Sequence, residues 1–197
     1  MPELDQPEDV LVDVTPVAPP PRSRRRLWLT VTAVAVLGAA AFGVAFADNF
    51  ADLGAYRYDP PKTFDGLPLV PEASKAKQSR VGSESGVSAT TYLAGDQQRM
   101  VFLTVSERHI FLPSSELDDL LSRQRSNGEE IADLHEVDPG DRGGVMKCGR
   151  ADAEGHAIAV CDWADGSMWG MYSETAEDVD AVAAHARDFR RQAEVPS

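Results

Sequence analysis

Apolar and polar positions divide this chain into three regimes. From Met1 to Arg26 the apolar residues never hold a helical or strand period, and prolines recur at 2, 7, 16, 19, 20 and 21. That composition predicts a disordered, acidic and proline-rich tail over 1–26. From Leu27 to Ala47 the chain reads LWLTVTAVAVLGAAAFGVAFA, without one ionisable side chain. At about 1.5 Å per helical residue this run reaches roughly 30 Å, the thickness of a bilayer's hydrocarbon core, and so predicts a transmembrane helix over 27–47. Beyond it the pattern shortens into strand-length and helix-length pieces.

Residues 48–80 read as a linker, broken by Pro60, Pro61, Pro68 and Pro71 and polar from Lys75 to Arg80. Within it, Phe64 to Val70 is apolar enough to lie against a folded neighbour. A domain is expected over 81–193. Val87 to Ala94 is rich in β-branched residues, Gly95 to Gln98 makes a turn, and Arg99 to Ser106 is an almost unbroken apolar strand of the kind found inside a sheet. A helix opens near Pro113, with Ser115 and Asp118 at capping-box spacing and Leu117, Leu120 and Leu121 on one face, and closes at Asn127-Gly128. Glu129 to Val137 is ambiguous between loop and short strand. The last helix is expected from Thr175 to Gln192, capped by Thr175 and Asp178. Its apolar stripe is Val179, Val182, Ala183, Ala186 and Phe189, and Arg187, Arg190 and Arg191 stand at its negative end. The fold class is α+β: an antiparallel sheet of about five strands with two helices, preceded by one transmembrane helix.

Two hairpins set the register of the middle of the domain. A two-residue turn at Glu154-Gly155 puts Cys148 opposite Cys161 and Lys147 opposite Asp162. Directly paired strand residues have Cβ atoms close enough for a disulfide with small adjustment. A second turn at Asp165-Gly166 is expected to set Trp163 against Met168, Asp162 against Trp169 and Val160 against Met171. Alternation then places Trp163, Met168 and Tyr172 on the face of the cysteines, and Trp169 and Met171 on the other with Ile158 and Val160. If helices leave that second face open, Trp169 and Met171 form a candidate partner surface.

Charge fixes orientation and excludes one class of partner. Arg22, Arg24, Arg25 and Arg26 precede the apolar run, whereas Asp48 and Asp52 follow it. The positive-inside rule predicts a single-pass cell-membrane protein with a cytoplasmic N-terminus and an extracytoplasmic C-terminal domain. Ala45-Phe46-Ala47 also fits a signal-peptidase site, which would release the same domain outside. The net charge of −13 falls almost entirely on residues 48–197. It disfavours nucleic acid as a partner and leaves the bilayer, through residues 27–47, and an unknown envelope protein or ligand.

Catalytic signals are weak. His109, His135, His156 and His185 lie on different elements, and His109 with Glu107 and Ser114 lacks any nucleophile elbow. A metal site would need Cys148, His156, Cys161 and Asp162, at a spacing zinc sites seldom use. Asp138-Pro139-Gly140-Asp141 has too few acids for a calcium loop, and Gly143-Gly144 lacks the context of a phosphate loop. No catalytic, cofactor or metal residues are assigned. The run Gly143-Gly144-Val145-Met146-Lys147-Cys148, followed by Cys161-Asp162-Trp163-Ala164-Asp165 and the arginine-ended helix, resembles actinobacterial single-pass membrane proteins. Their extracytoplasmic domain carries a GG-x3-C … C-x-W-A-D motif. The resemblance implies architecture and location without supplying an activity. The expected function is a non-catalytic, membrane-anchored binding or sensing module of the cell envelope. The alternatives are a small envelope hydrolase and an anchor whose cytoplasmic tail recruits a partner.

Overall fold

A computed structural model describes residues 34–36, 38, 41, 43–44, 47–75, 86–95, 98–153, 155–176 and 178–197. The chain divides into two units, Met1–Ala45 and Phe46–Ser197. The described residues of the first are helical. The tail and most of the 27–47 run lie outside the described residues, and among those described no helix is long and apolar enough to cross a membrane.

The second unit is α+β. Its main sheet is antiparallel with the order β4-β5-β9-β8-β7-β6, formed by β4 (Val87–Leu93), β5 (Met100–Glu107), β6 (Ala132–Val137), β7 (Val145–Ala153), β8 (His156–Ala164) and β9 (Met168–Glu174). Six strands replace the five or so expected, because the ambiguous stretch before Val137 is the edge strand β6. Its acidic, mostly exposed sequence, a bulge between Ala132 and His135, and Asp133 at φ +54° blur the strand pattern. The apolar strand β5 lies inside the sheet, as its lack of alternation implied.

One face is covered by α3 (Val179–Ala193), whose Val179, Val182, Ala183, Ala186 and Phe189 are buried against Leu103, Met146, Trp163 and Tyr172. The helix starts later than the Thr175 cap implied. Asp178 is the N-cap, accepting from the amides of Asp180 and Ala181, while Thr175 Oγ1 accepts from Met100 N. The other face is partly covered by α2 (Pro113–Ser126), whose Leu117, Leu120 and Leu121 are buried with Ile110 and Ala164. Its start uses Pro113 in the first turn with Leu112 as N-cap, and no side-chain capping bond forms, so the Ser115–Asp118 box is not made.

Much of the stretch read as linker is integral to the domain. The short helix α1 (Ala47–Asp52) is tied by Asn49 Nδ2 donating to Phe111 O at 2.8 Å, and Gly54 N donates to Gly166 O at 3.1 Å. Strand β1 (Tyr56–Tyr58) pairs with β10 (Glu194–Pro196) at the chain's end. The β2 (Thr63–Phe64) and β3 (Leu67–Pro68) hairpin inserts Phe64, 2% exposed, edge-on to Phe189 at 5.2 Å.

Candidate functional site

The β7–β8 register agrees with expectation at every pair from Ala153↔His156 to Val145↔Ala164, and Cys148 is bonded to Cys161. Both thiols are thereby consumed, so the metal alternative with His156 and Asp162 loses two of its ligands. The β8–β9 hairpin is offset by two residues from expectation: Asp162 pairs with Met171, Trp163 with Gly170 and Ala164 with Trp169. Asp165 causes the shift. Its Oδ1 accepts from Ser167 N at 2.7 Å and Met168 N at 3.0 Å, and its own N–H donates to Met168 O, so Gly166-Ser167 forms the turn. An even offset preserves facing, so the assignment of side chains to the two faces stands.

Trp169 and Met171 do share the second face, both half-buried, but they border different cavities. Trp169 packs on the α2 cluster with Leu120 and borders a cleft that also holds Arg108 and Arg123. Met171 borders a separate cavity of about 380 Å³ beyond the end of α2. Its apolar lining is Met100, Phe102, Ile131, Ile158, Val160 and Met171, and its polar lining includes Gln124, Glu129, Glu130, Asp152 and Glu174. The cavity exists because α2 stops at Asn127-Gly128, where Gly128 takes φ +85°, before crossing the full width of the sheet.

Gln124 forms the inner wall. Its Nε2 donates to Asp162 Oδ1 at 3.0 Å, and both residues are buried. Among the described residues, Gln124 Oε1 and Asp162 Oδ2 have no hydrogen-bond partner. Lys147, opposite Asp162 in register, instead reaches Asp118 on α2 at 2.7 Å. Burial is the largest influence on the Asp162 carboxyl; the Gln124 hydrogen bond opposes it, Glu129 reinforces it, and the pKa is pushed up to about 7.

A second polar cluster occupies the first face. Glu174 accepts from Tyr172 Oη at 2.9 Å, meets His185 Nδ1 at 2.9 Å and pairs with Arg99, which also binds Asp65. Burial alone would raise the Glu174 pKa, but the bonds to Arg99, His185 and Tyr172 outweigh it and hold it below the ordinary value. His185 is thus half-buried and engaged. The imagined His109–Glu107–Ser114 set is not assembled: Glu107 accepts from Tyr58 N at 2.7 Å, and no hydrogen bond joins the three among the described residues.

Sequence reading missed the third cluster. Arg190, expected only as one of three arginines at the helix's negative end, is fully buried, pairing with Asp165 at 2.8 Å and Glu194 at 2.7 Å and lying over the Trp163 ring. It also donates to the carbonyls of Pro139 and Gly143. The one available signal was its position on the apolar stripe, next to Phe189. The residues of the Gly143-Gly144 … Cys148 and Cys161 … Asp165 pattern surround this cluster. Gly144, at φ +79°, lets the backbone approach Ala164 O so closely that a Cβ would lie 2.2 Å from it. Trp163 stacks on Gly170, Asp165 closes the turn and binds Arg190, and the cysteines are joined, so the motif is accounted for by packing.

No family model, curated protein or solved structure matches the chain. What the fold offers is a cavity with an apolar floor and a few convergent polar groups, the usual form of a ligand site.

Proposed function

We propose that this chain is a membrane-anchored, extracytoplasmic, non-catalytic binding or sensing module of the cell envelope, and that its ligand seat is the cavity between β5, β9, β8 and the end of α2. The observation that carries the reading is that cavity, apolar on its floor and open at the acidic rim. The anchor is residues 27–47 with the arginines before it, and a buried disulfide suits an oxidising compartment. The resemblance to actinobacterial single-pass proteins agrees with this placement.

The cavity is tested with small neutral fragments such as cyclohexylmethanol, followed by the ¹³C-methyl resonances of Met100 and Met171. Saturable shifts that Ile158→Trp abolishes are expected; no shift at millimolar fragment sinks the reading. Placement is tested by His156→Cys, at the exposed start of β8, with a membrane-impermeant maleimide. Labelling of intact cells is expected, and labelling only after lysis would invert the orientation. The Glu174–His185–Tyr172 cluster favours a hydrolase as the second reading, since a carboxylate orienting an imidazole is a component of acid–base catalysis. Ester or amide turnover lost in His185→Ala would favour it over the binder.

A further inference from the structure

Where the chain leaves the apolar run, it enters the domain without a spacer. The compact second unit begins at Phe46, inside the run, and α1 continues from Ala47 to Asp52. That short helix and the turn after it are fastened to the body of the domain. Asn49 Nδ2 donates to Phe111 O at 2.8 Å, Ser167 Oγ donates to Asp52 O at 3.3 Å, and Gly54 N donates to Gly166 O at 3.1 Å. The fit is close: a Cβ on Gly166 would lie 2.3 Å from Asp52 O. Beside these ties the domain presents apolar surface to solvent. Among the described residues from Ala47 onward, the large apolar side chains that stay exposed are Phe50 at 51%, Met100 at 42% and Leu112 at 48%. Met100 belongs to the cavity described above. Phe50 packs against Phe111, with ring centroids 4.9 Å apart, and Leu112 is the next residue along.

We propose that Phe50, Phe111 and Leu112 form a membrane-docking surface, which seats in the interfacial layer of the bilayer and holds the domain in one orientation on it. The inference rests on the reading of residues 27–47 as the anchor. Covalent reach selects the occupant. Phe50 lies three residues beyond Ala47, so at about 1.5 Å per helical residue it stands roughly 5 Å from the end of the run. An interfacial apolar face sinks about 5–10 Å into the boundary between headgroups and acyl chains, which spans that distance. A soluble partner would have to displace lipid from a surface already held against it. Charge does not draw the domain down: residues 48–197 carry nearly all of the net charge of −13, and Asp48 and Asp52 share α1 with Phe50. The contact is therefore apolar, and salt should not release it. With α1 fastened to the domain, docking confines the module to partners at the membrane surface.

The test uses the full chain in lipid nanodiscs, with a nitroxide attached through one introduced cysteine at a time, the native cysteines being joined and buried. Collisions with oxygen, which concentrates among the acyl chains, are compared with those of a water-soluble nickel chelate. The positions read are Val36→Cys in the span, Leu112→Cys in the patch and His156→Cys at the exposed start of β8. Oxygen is expected to dominate at 36 and 112 and the chelate at 156, at low and at high salt. Phe50→Glu, at an exposed position, should turn position 112 over to the chelate and leave position 36 unchanged. With position 36 in lipid, a label at 112 that the chelate dominates, that salt releases or that Phe50→Glu leaves in lipid overturns the docking surface and leaves the anchor standing. A label at 112 shielded from both quenchers places a protein or a second copy there and overturns the bilayer as occupant. Oxygen dominance at 156 as well would mean that the domain lies on lipid without using this patch, which also overturns it. Chelate dominance at 36 overturns the anchor and the docking together.

Discussion

Among the described residues no cation pairs with Asp162: fully buried, it has one hydrogen bond from Gln124 and one unmet oxygen, while Lys147 opposite it binds Asp118. Its neutral form is the one the fold prefers. With the folded pKa raised to about 7, its contribution to stability is fully present below the ordinary carboxylate range and is lost as pH rises through 7. Asp162→Asn keeps the shape and the acceptor for Gln124 Nε2 and removes the titration. The variant is expected to match the parent near pH 4 and to exceed it near pH 8 by about 4 kcal/mol at most, since each tenfold change in proton affinity is worth about 1.4 kcal/mol. Urea unfolding at both pH values checks this, and an equal or lower stability at pH 8 would contradict it. Gly170 gives the steric counterpart. A Cβ there would lie 2.3 Å from the Trp163 ring, so Gly170→Ala must displace the largest side chain of the core. A loss of roughly 1–3 kcal/mol is expected, with a change in near-ultraviolet circular dichroism.

At the scale of elements, two devices hold the β7–β8–β9 meander, and they differ in how far they could be read from sequence. The disulfide was legible because strand pairing is arithmetic: a turn at Glu154-Gly155 leaves Cys148 no other partner than Cys161. The Arg190 clamp was not legible, since its partners Asp165 and Glu194 and the carbonyls of Pro139 and Gly143 meet only once α3 is docked. The offset of the second hairpin was hidden for the same reason, in that Asp165 could be counted as a turn residue but not seen folding over Ser167 and Met168. Edge strand β6 was obscured by its bulge. The candidate cavity was half legible: alternation put Met171 on the second face and Asn127-Gly128 marked where α2 stops, but how that helix lies on the sheet depends on tertiary packing.

The two devices should also fail differently. Replacing both cysteines by serine releases a loop whose pairing survives locally, and a loss of roughly 3 kcal/mol at most is expected, with the fold retained. Arg190→Met strands two carboxylates in the core and should cost about 3–5 kcal/mol, with Glu194→Gln partly restoring it. Thermal unfolding of the three variants ranks them, and an Arg190→Met loss below that of the serine pair would show that the clamp is not what fastens α3.

For the whole molecule, these groups combine into a pH profile whose direction can be worked out. Burial raises Asp162 and Glu194 to about 7 and raises Asp165 despite the Arg190 charge, so the folded chain holds protons that the unfolded chain has already released between about pH 4 and 7. Stability therefore falls as pH climbs through that window. Glu174, lowered by Arg99, His185 and Tyr172 against the effect of burial, and Asp65, lowered by the Arg99 hydrogen bond, act oppositely. Their contribution is present above the ordinary carboxylate range and disappears as pH falls through their folded values. The net charge of −13 at pH 7 adds self-repulsion on the alkaline side. The sum is a maximum on the acid side of neutrality, toward the lower end of that window, with decline in both directions. Thermal unfolding from about pH 3 to 8.5 at fixed ionic strength tests it. A melting temperature that rises steadily from pH 5 to 8 would mean the buried carboxylates are ionised at little cost.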